Sequence, residues 1–589
     1  MTLPSDNALY LAMLKAGRGL DRNDQARPEL RVSLLADHAT QQLALVLKAA
    51  IDEVGFFPLV HEAEYATQAQ EIYDTDSALH RHKPDFVIYS LALQKYRDRF
   101  LGAASVEARE TLPRDYMAQT LSAVDALAKA GYEVILSNLA LPLERGFGSY
   151  GALTHNSLYG SVLTFNQLLA EAVASRRQVH LNDVMYLSCR VGLENFLDER
   201  LWFGSKYLCA NRFLPDLARS MARAMAVRKG RVSKCIVLDL DNTVWGGVIG
   251  DDGKEGIALG GDAYGEAFQH FQRYILSLRD RGYILAVCSK NNEDVALDAF
   301  RTHPEMILRE EDISVFAVNW NDKASNIEFI ARVLNIGLDS LVFVDDSPFE
   351  RNLVRTALPQ VAVPEMPEDV ADYVWALERS GLFEAAGEAA DDRSRNQKYR
   401  EEALRTTEQI KYGNIDDYLR SLAMVIEVKP FTPKELPRIA QLISRSNQFN
   451  LRTQRFSEAQ CEGMMRAPQR HVTVAARLGD RFGDYGLISV ICCDIRDEVL
   501  EVSELVMSCR VLKRGVERHL MNHLFRECRR LGFKGVRGEY IASAKNAMVK
   551  DFYKDFGFEC LERSEARDIW YLATERYAPR LTFIEESRT

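Results

Sequence analysis

Three apolar runs in the middle of the chain each stop abruptly at a polar cluster. KCIVL runs into Asp239-Leu240-Asp241-Asn242-Thr243, ILAVC into Ser289-Lys290-Asn291, and LVFV into Asp345-Asp346. Ser289 follows Asp239 by 50 residues, Lys323 follows Ser289 by 34, and Asp345 follows Lys323 by 22. Stretches of helical periodicity separate the runs, as in YGEAFQHFQRYILSLRDRG and NDKASNIEFIARVLN. Short continuous apolar runs alternating with helices predict a parallel sheet, and in such sheets ligands gather at the carboxyl ends of the strands. This pattern constrains the chain more than any other feature.

The chemistry that uses this set is phosphoryl transfer through a carboxylate. Asp239 can attack phosphorus and become an aspartyl phosphate. Asp241 can protonate the leaving oxygen and later activate water. Ser289 and Lys323 are placed to hold phosphoryl oxygens, and Lys323 offsets the charge of four crowded carboxylates. Asp239, Asp345 and the carbonyl of Asp241 offer the hard oxygen ligands that Mg²⁺ prefers. Thr243, Lys290, Asn291 and Asp346 are expected to line the substrate. Trp245-Gly246-Gly247-Val248-Ile249-Gly250 follows closely and suits a tight flap over the site or a plain turn.

Two further blocks flank this one. RVSLLAD, DFVIYSLAL, YEVILSNLAL and QVHLND read as buried strands between helix-like stretches, of which RDYMAQTLSAVDALAKAG ends at Gly131. From about residue 424 the order changes to a strand, helices, several strands and the long helix VERHLMNHLFRECRRLG. The expected fold class is α/β, two Rossmann-like parallel-sheet domains followed by an α+β domain. The expected domains are 1–222, 232–380 and 424–589, with a polar linking helix with exposed faces over 381–423.

Composition narrows the function classes. With 589 residues, 47% apolar and 27% charged, the chain is an ordinary multidomain globular protein. No apolar run approaches the roughly 18 to 20 residues of a membrane span. The first residues lack the pattern of a secretory signal. Ten cysteines, none in a CxxC, make no disulfide framework, so reduced thiols and a cytoplasmic home are expected. The net charge is −10, yet from Arg420 onward 29 basic residues face 23 acidic ones. That leaves +6 in the last block and −16 in the rest, which suits an acidic partner for the basic part. No basic run carries interleaved aromatics, so nucleic acid is not expected.

The central stretch resembles the haloacid-dehalogenase-like phosphohydrolases. More narrowly, VLDLDNTVWGGVIGDDG, VCSKNN and VDDSPFERN resemble the FkbH-like proteins of polyketide assembly. The resemblance implies an enzyme that takes 1,3-bisphosphoglycerate, removes phosphate and loads a glyceryl group as a thioester on an acyl carrier protein. Asp239, Asp241, Ser289, Lys323 and Asp345 then fill the phosphatase roles, with Mg²⁺ as cofactor. The resemblance also implies that Cys288, just before the motif serine, holds the acyl group. Lys290, two residues on, is a cation expected to favour its thiolate. The other reading of Cys288 is a buried strand cysteine acting as a small apolar residue. A plain Mg²⁺-dependent phosphatase and a carrier-protein scaffold are the alternative functions.

The first block resembles the SGNH-hydrolase fold, whose nucleophile motif here reads Ala36-Asp37-His38 and whose late motif reads Asp183-Val184-Met185-Tyr186. The serine and the histidine are missing, so a structural or docking role is expected. The last block resembles a GNAT-type acetyltransferase through Asn546 to Phe558, with Tyr553 in the position of the usual acid. Its pyrophosphate loop reads Arg510-Val511-Leu512-Lys513-Arg514-Gly515, with a lysine for the first glycine. Lys513, Arg514 and Tyr553 are therefore expected to dock the carrier and its phosphopantetheine arm. Asn447-Gln448-Phe449-Asn450 also resembles a family signature, without a physical role.

Overall fold

The computed structural model describes residues 6–20, 27–385, 387, 392–446, 449–543, 546–564 and 567–587. The chain packs as two compact units. The first is Met1–Asp312, Ala317–Glu328 and Ile336–Arg393; the second is Ser394–Thr589 with Ile313–Phe316 and Phe329–Asn335.

The first unit contains a five-stranded parallel sheet of β1 (Glu29–Ala36), β2 (Phe57–Glu62), β3 (Phe86–Ser90), β4 (Glu133–Ser137) and β5 (Val179–Asn182), in the order β2-β1-β3-β4-β5. The four strands expected from sequence are all present, and β2, the edge strand beside β1, is additional. Its Pro58 and its half-buried His61 and Glu62 explain why FPLVHE lacks the apolar run of a central strand. The helix Val106–Lys129 begins before the expected stretch and runs through Pro113, and the chain turns at Gly131 with φ of 94°.

A four-stranded parallel sheet follows, built from β6 (Cys235–Leu238), β7 (Ile284–Ser289), β8 (Val315–Val318) and β9 (Leu341–Val344) in the order β8-β7-β6-β9. Every residue of β6, β7 and β9 is buried. This is why these strands read as unbroken apolar runs rather than as alternation: both faces are covered. The carboxyl ends of β6, β7 and β9 are thereby aligned, and each is followed by one of the polar clusters.

The second unit carries an eight-stranded mixed sheet. Its strands are β10 (Met424–Lys429), β11 (His471–Asp480), β12 (Gly483–Arg496), β13 (Val499–Met507), β14 (Gly535–Ile541), β15 (Glu559–Arg563), β16 (Arg567–Ala573) and β17 (Ile584–Glu586). They lie in the order β15-β16-β14-β13-β12-β11-β10-β17. Separate hydrophobic clusters cover its two faces, one with the helix Val516–Leu531, the other with Leu436–Arg445 and Glu458–Arg466. The fold class is thus two parallel α/β sheets and one mixed α+β sheet. The expected linking helix is Asp392–Lys411, and it is not exposed all round. Arg405 is buried, and its guanidinium is forked onto Asp480 at 2.7 and 2.9 Å. Among the described residues no helix is long and apolar enough to cross a membrane.

Candidate active site

The amide of Asp239 donates to the carbonyl of Val344 at 2.9 Å, so the ends of β6 and β9 are locked together. Lys323, the first residue of the helix Lys323–Leu334, reaches both ends. Its Nζ lies 2.9 Å from Asp239 Oδ1 and is also hydrogen-bonded to Asp345 Oδ2. Oxygens of Asp239, Asp345 and Asp346 all lie within 4.8 Å of one another. Asp239, Asp345 and Lys323 are buried. Burial and the neighbouring Asp239 charge hold Asp345 up at about 6 and also raise Asp346. Burial alone would lower the Lys323 ammonium, but Asp239 and Asp345 hold it above its ordinary value. Three carboxylates around one ammonium leave a surplus of negative charge that a divalent cation offsets, and the donor set is hard oxygen.

The shells around this centre are ordered by groups that arrive from elsewhere. Thr243 is fully buried; its Oγ1 accepts from the Asp346 amide at 3.1 Å and donates to Asp346 Oδ1 at 3.4 Å. It therefore positions Asp346 and does not line a substrate as expected. Arg351 donates to the carbonyls of Asp345 and Asp346 at 2.8 and 2.6 Å. Tyr373 Oη donates to the carbonyl of Asn242 at 2.9 Å, pinning a residue held at φ of 54°.

Asp241 is placed differently from expectation. Its carboxylate is not one of the three in the cluster and accepts three hydrogen bonds. These come from Trp245 Nε1 at 2.9 Å, the Ile249 amide at 3.1 Å and Asn291 Nδ2 at 2.9 Å. Asp346, expected to line the substrate, is the third carboxylate of the cluster. The run after Asp241 is the structure that holds it: Trp245 is fully buried, Gly247 sits at φ of 89°, and Gly246 lies where a Cβ would strike Tyr264 and Phe268. Asn291 Nδ2 also lies 3.3 Å from Ser289 Oγ, so it ties the end of β7 to Asp241. Trp245→Phe is expected to fold and to lower kcat for phosphate release about tenfold with KM unchanged, because it removes one of three donors that orient Asp241. A changed KM with kcat intact would place Trp245 against substrate instead.

Cys288 and Lys290 do not form the expected pair. Cys288 is 0% exposed, its Sγ donates to the carbonyl of Lys323 at 3.8 Å, and burial pushes the thiol well above its ordinary value. Lys290 Nζ is engaged by Glu350 Oε1 at 2.6 Å, so its charge is spent on a carboxylate.

In the first block, His38 is buried with Nε2 2.8 Å from Ser90 Oγ, and Asp183 caps the helix Val184–Val191 while accepting from Asn138 Nδ2 at 2.8 Å. Both serve hydrogen-bond networks in the fold.

Of the three residues expected to dock the carrier, only Lys513 is exposed. Lys513 is exposed at φ of 62°. Arg514 is committed internally, 3.1 Å from Glu402 and hydrogen-bonded to Tyr485 Oη. Tyr553 is 1% exposed, with its ring packed where a Gly538 side chain would be, so it presents nothing to a partner. β13 and β14 pair only over Val499–Glu501 with Gly535–Arg537 and then part. Residues 449–451 fill the parting. The Met507 amide donates to the Phe449 carbonyl at 3.1 Å, Leu451 N to the Leu505 carbonyl at 3.4 Å, and Ile541 N to the Leu451 carbonyl at 2.9 Å. Asn546 Nδ2 donates to the Asn450 carbonyl at 2.9 Å. This gives Phe449-Asn450 the role that sequence alone withheld; Asn447 and Gln448 lie outside the described residues. A groove here for an extended arm is closed by the chain itself.

Glu504 lies in the same region, fully buried, with Oε2 lacking a partner among the described residues. Burial raises its carboxyl from 4.5 to about 7. The folded state thus holds the proton more tightly than the unfolded chain, and stability falls as pH rises from 4.5 to about 7, by up to about 3 kcal/mol. Glu504→Gln is expected to remove that fall. Denaturant unfolding at pH 5 and pH 8 checks it, and an unchanged pH slope would contradict it.

Comparison with known proteins places these observations. The family model described as "FkbH, N-terminal domain" matches residues 31–225. The N-terminal part of the protein BF1531 from Bacteroides fragilis, a crystal structure containing a phosphatase domain complexed with Mg, is similar at 35% identity. That match covers 64% of this chain and 99% of that chain, with a TM-score of 0.60. The ribosomal-protein-S18-alanine N-acetyltransferase from Escherichia coli is similar at 16% identity over 26% of this chain and 98% of that chain, with a TM-score of 0.21. No curated protein matches the chain.

Proposed function

The chain belongs to the FkbH-like family with a haloacid-dehalogenase-type phosphatase domain, and on that premise we propose that it transfers a C3 acyl group from 1,3-bisphosphoglycerate to the thiol of an acyl carrier protein. The observation that carries the chemistry is buried Lys323 bridging buried Asp239 and Asp345 in a three-carboxylate cluster at aligned strand ends. Asp239, Asp345 and Asp346 would hold Mg²⁺, with the Asp241 carbonyl as a further oxygen. When bound, the ion supplies charge neutralisation for the phosphoryl oxygens.

Two bond exchanges are needed. A thiol attacks the acyl-phosphate carbonyl, the C–S bond forms, the C–O bond to phosphate breaks, and the thiol proton leaves to solvent. Asp239 then attacks the remaining phosphate ester. Asp241 protonates the departing alkoxide, and water, deprotonated by Asp241, hydrolyses the aspartyl phosphate. Lys323 and Ser289 hold the transferring oxygens. Trp245 Nε1, the Ile249 amide and Asn291 Nδ2 orient the Asp241 carboxylate for these proton transfers.

Cys288 is the acyl-holding thiol in this reading, directly beside Ser289. The carrier thiol then attacks the Cys288 thioester, a C–S bond to the carrier forms, the Cys288 C–S bond breaks, and Cys288 regains the proton that the carrier thiol gives up. The burial of Cys288 favours a second reading, a Mg²⁺-dependent phosphatase in which that residue is structural. Intact-mass analysis of a holo-carrier incubated with the protein, Mg²⁺ and 1,3-bisphosphoglycerate separates the two. A glyceryl increment on the carrier is expected; phosphate release with an unmodified carrier would establish the plain phosphatase.

A further inference from the structure

On the sheet face that bears the helix Glu458–Arg466, a cavity of about 500 Å³ opens in the second unit. Its floor is made by residues that face each other across neighbouring strands, Asp494 with Glu501, Glu501 with Arg537, and Glu539 with Ile569. Arg452, Arg496, Arg537 and Arg567 all line it. Each of its two glutamates is shared by two guanidiniums. Glu501 takes Arg496 Nε at 3.3 Å and Arg537 Nη1 at 3.1 Å, and Glu539 takes Arg452 Nη2 at 2.6 Å together with Arg567 Nε. The remaining carboxylate, Asp494, is turned to His471 Nδ1 at 2.8 Å. Four guanidiniums therefore meet three carboxylates.

Arg496, Arg537 and Arg567 each spend one nitrogen on these pairs, and among the described residues their other guanidinium nitrogens have no partner. Arg452 is fixed by the carbonyls of Val502 and Ser503 at 3.4 and 3.3 Å, and its buried Nε has no partner among the described residues. The opposite wall is apolar, formed by Phe456, Met464 and Ile569. The remaining nitrogens of three guanidiniums match the several oxygens of a phosphate better than the two of a carboxylate, and the volume exceeds what a bare ion fills.

We propose that this cavity binds a phosphate ester bearing a short organic chain, its phosphate held by Arg496, Arg537 and Arg567 and its chain against Phe456, Met464 and Ile569. A phosphopantetheine has this chemistry, whether free or on a carrier. That choice of ester rests on the carrier-loading reading. Binding of the ester itself is measured without turnover, so the two ideas fail separately.

The test is calorimetric titration of the full chain with 4′-phosphopantetheine and, separately, with inorganic phosphate. Phosphopantetheine is expected to bind at least tenfold more tightly than phosphate, and more weakly as salt rises. Arg537→Ala/Arg567→Ala is expected to weaken it at least tenfold. If that double variant melts early, Arg496→Ala, at a side chain 67% exposed, carries the same test. A holo-carrier binding more tightly than its apo form would identify the carrier-borne source, and equal binding the free one. Absence of phosphopantetheine binding, equal affinity for phosphate, or binding unchanged in the folded variants would overturn the site.

Discussion

Asp239→Asn is expected to lower phosphate release about 10,000-fold while leaving the protein folded. The carboxylate is the attacking group, and an amide oxygen is a far weaker nucleophile. The substitution is nearly isosteric, so the packing between β6 and β9 and the amide hydrogen bond to Val344 remain. It also removes one of the two carboxylates that Lys323 bridges, which leaves Asp345 to pair with the ammonium alone. Steady-state phosphate release, with circular dichroism to check folding, reads the effect. A variant within tenfold of wild type would remove Asp239 from the chemistry.

Cys288→Ala is expected to divide the two bond exchanges. Phosphate-ester hydrolysis should stay within about threefold, since among the described residues the thiol's hydrogen bond is to the Lys323 carbonyl and a small side chain can stand in its place. Loading of the carrier should fall more than about 100-fold, because the acyl group loses the thiol that receives it. Cys288 is buried and its thiol is held well above its ordinary value, so for the thiol to act it must be uncovered and its proton must leave. Loading at the wild-type rate would mean that the carrier's own thiol attacks the acyl phosphate and that Cys288 is a packing residue.

The sheet of the candidate site was legible because β6, β7 and β9 are buried on both faces and each stops at a polar cluster; few other folds produce that pattern. What the clusters do to one another was less legible. Asp239, Lys323 and Asp345 meet as their spacing suggested, but Asp346 joins the cluster and the Asp241 carboxylate does not. The reason is a tertiary one: the Trp245 indole and Asn291 claim the Asp241 carboxylate, and Thr243 fixes Asp346. Arg351 and Tyr373 support the site from positions that carry no local signal. In the second unit, Arg514 looked like a free surface cation because Glu402 and Tyr485, which occupy it, are distant in sequence. The strand β2 was missed because Pro58 and polar side chains suit an edge and blur its periodicity.

The central claim is that phosphate passes through Asp239 in a Mg²⁺-dependent step. Rapid acid quench of the wild-type protein turning over its phosphate ester with Mg²⁺, followed by peptide mapping, tests it most directly. The prediction is a phosphoryl group on the peptide containing Asp239, labile to hydroxylamine, absent when a chelator is present and restored by added Mg²⁺. Phosphate release at full rate with no phosphoryl on that peptide, or undiminished by the chelator, would contradict it.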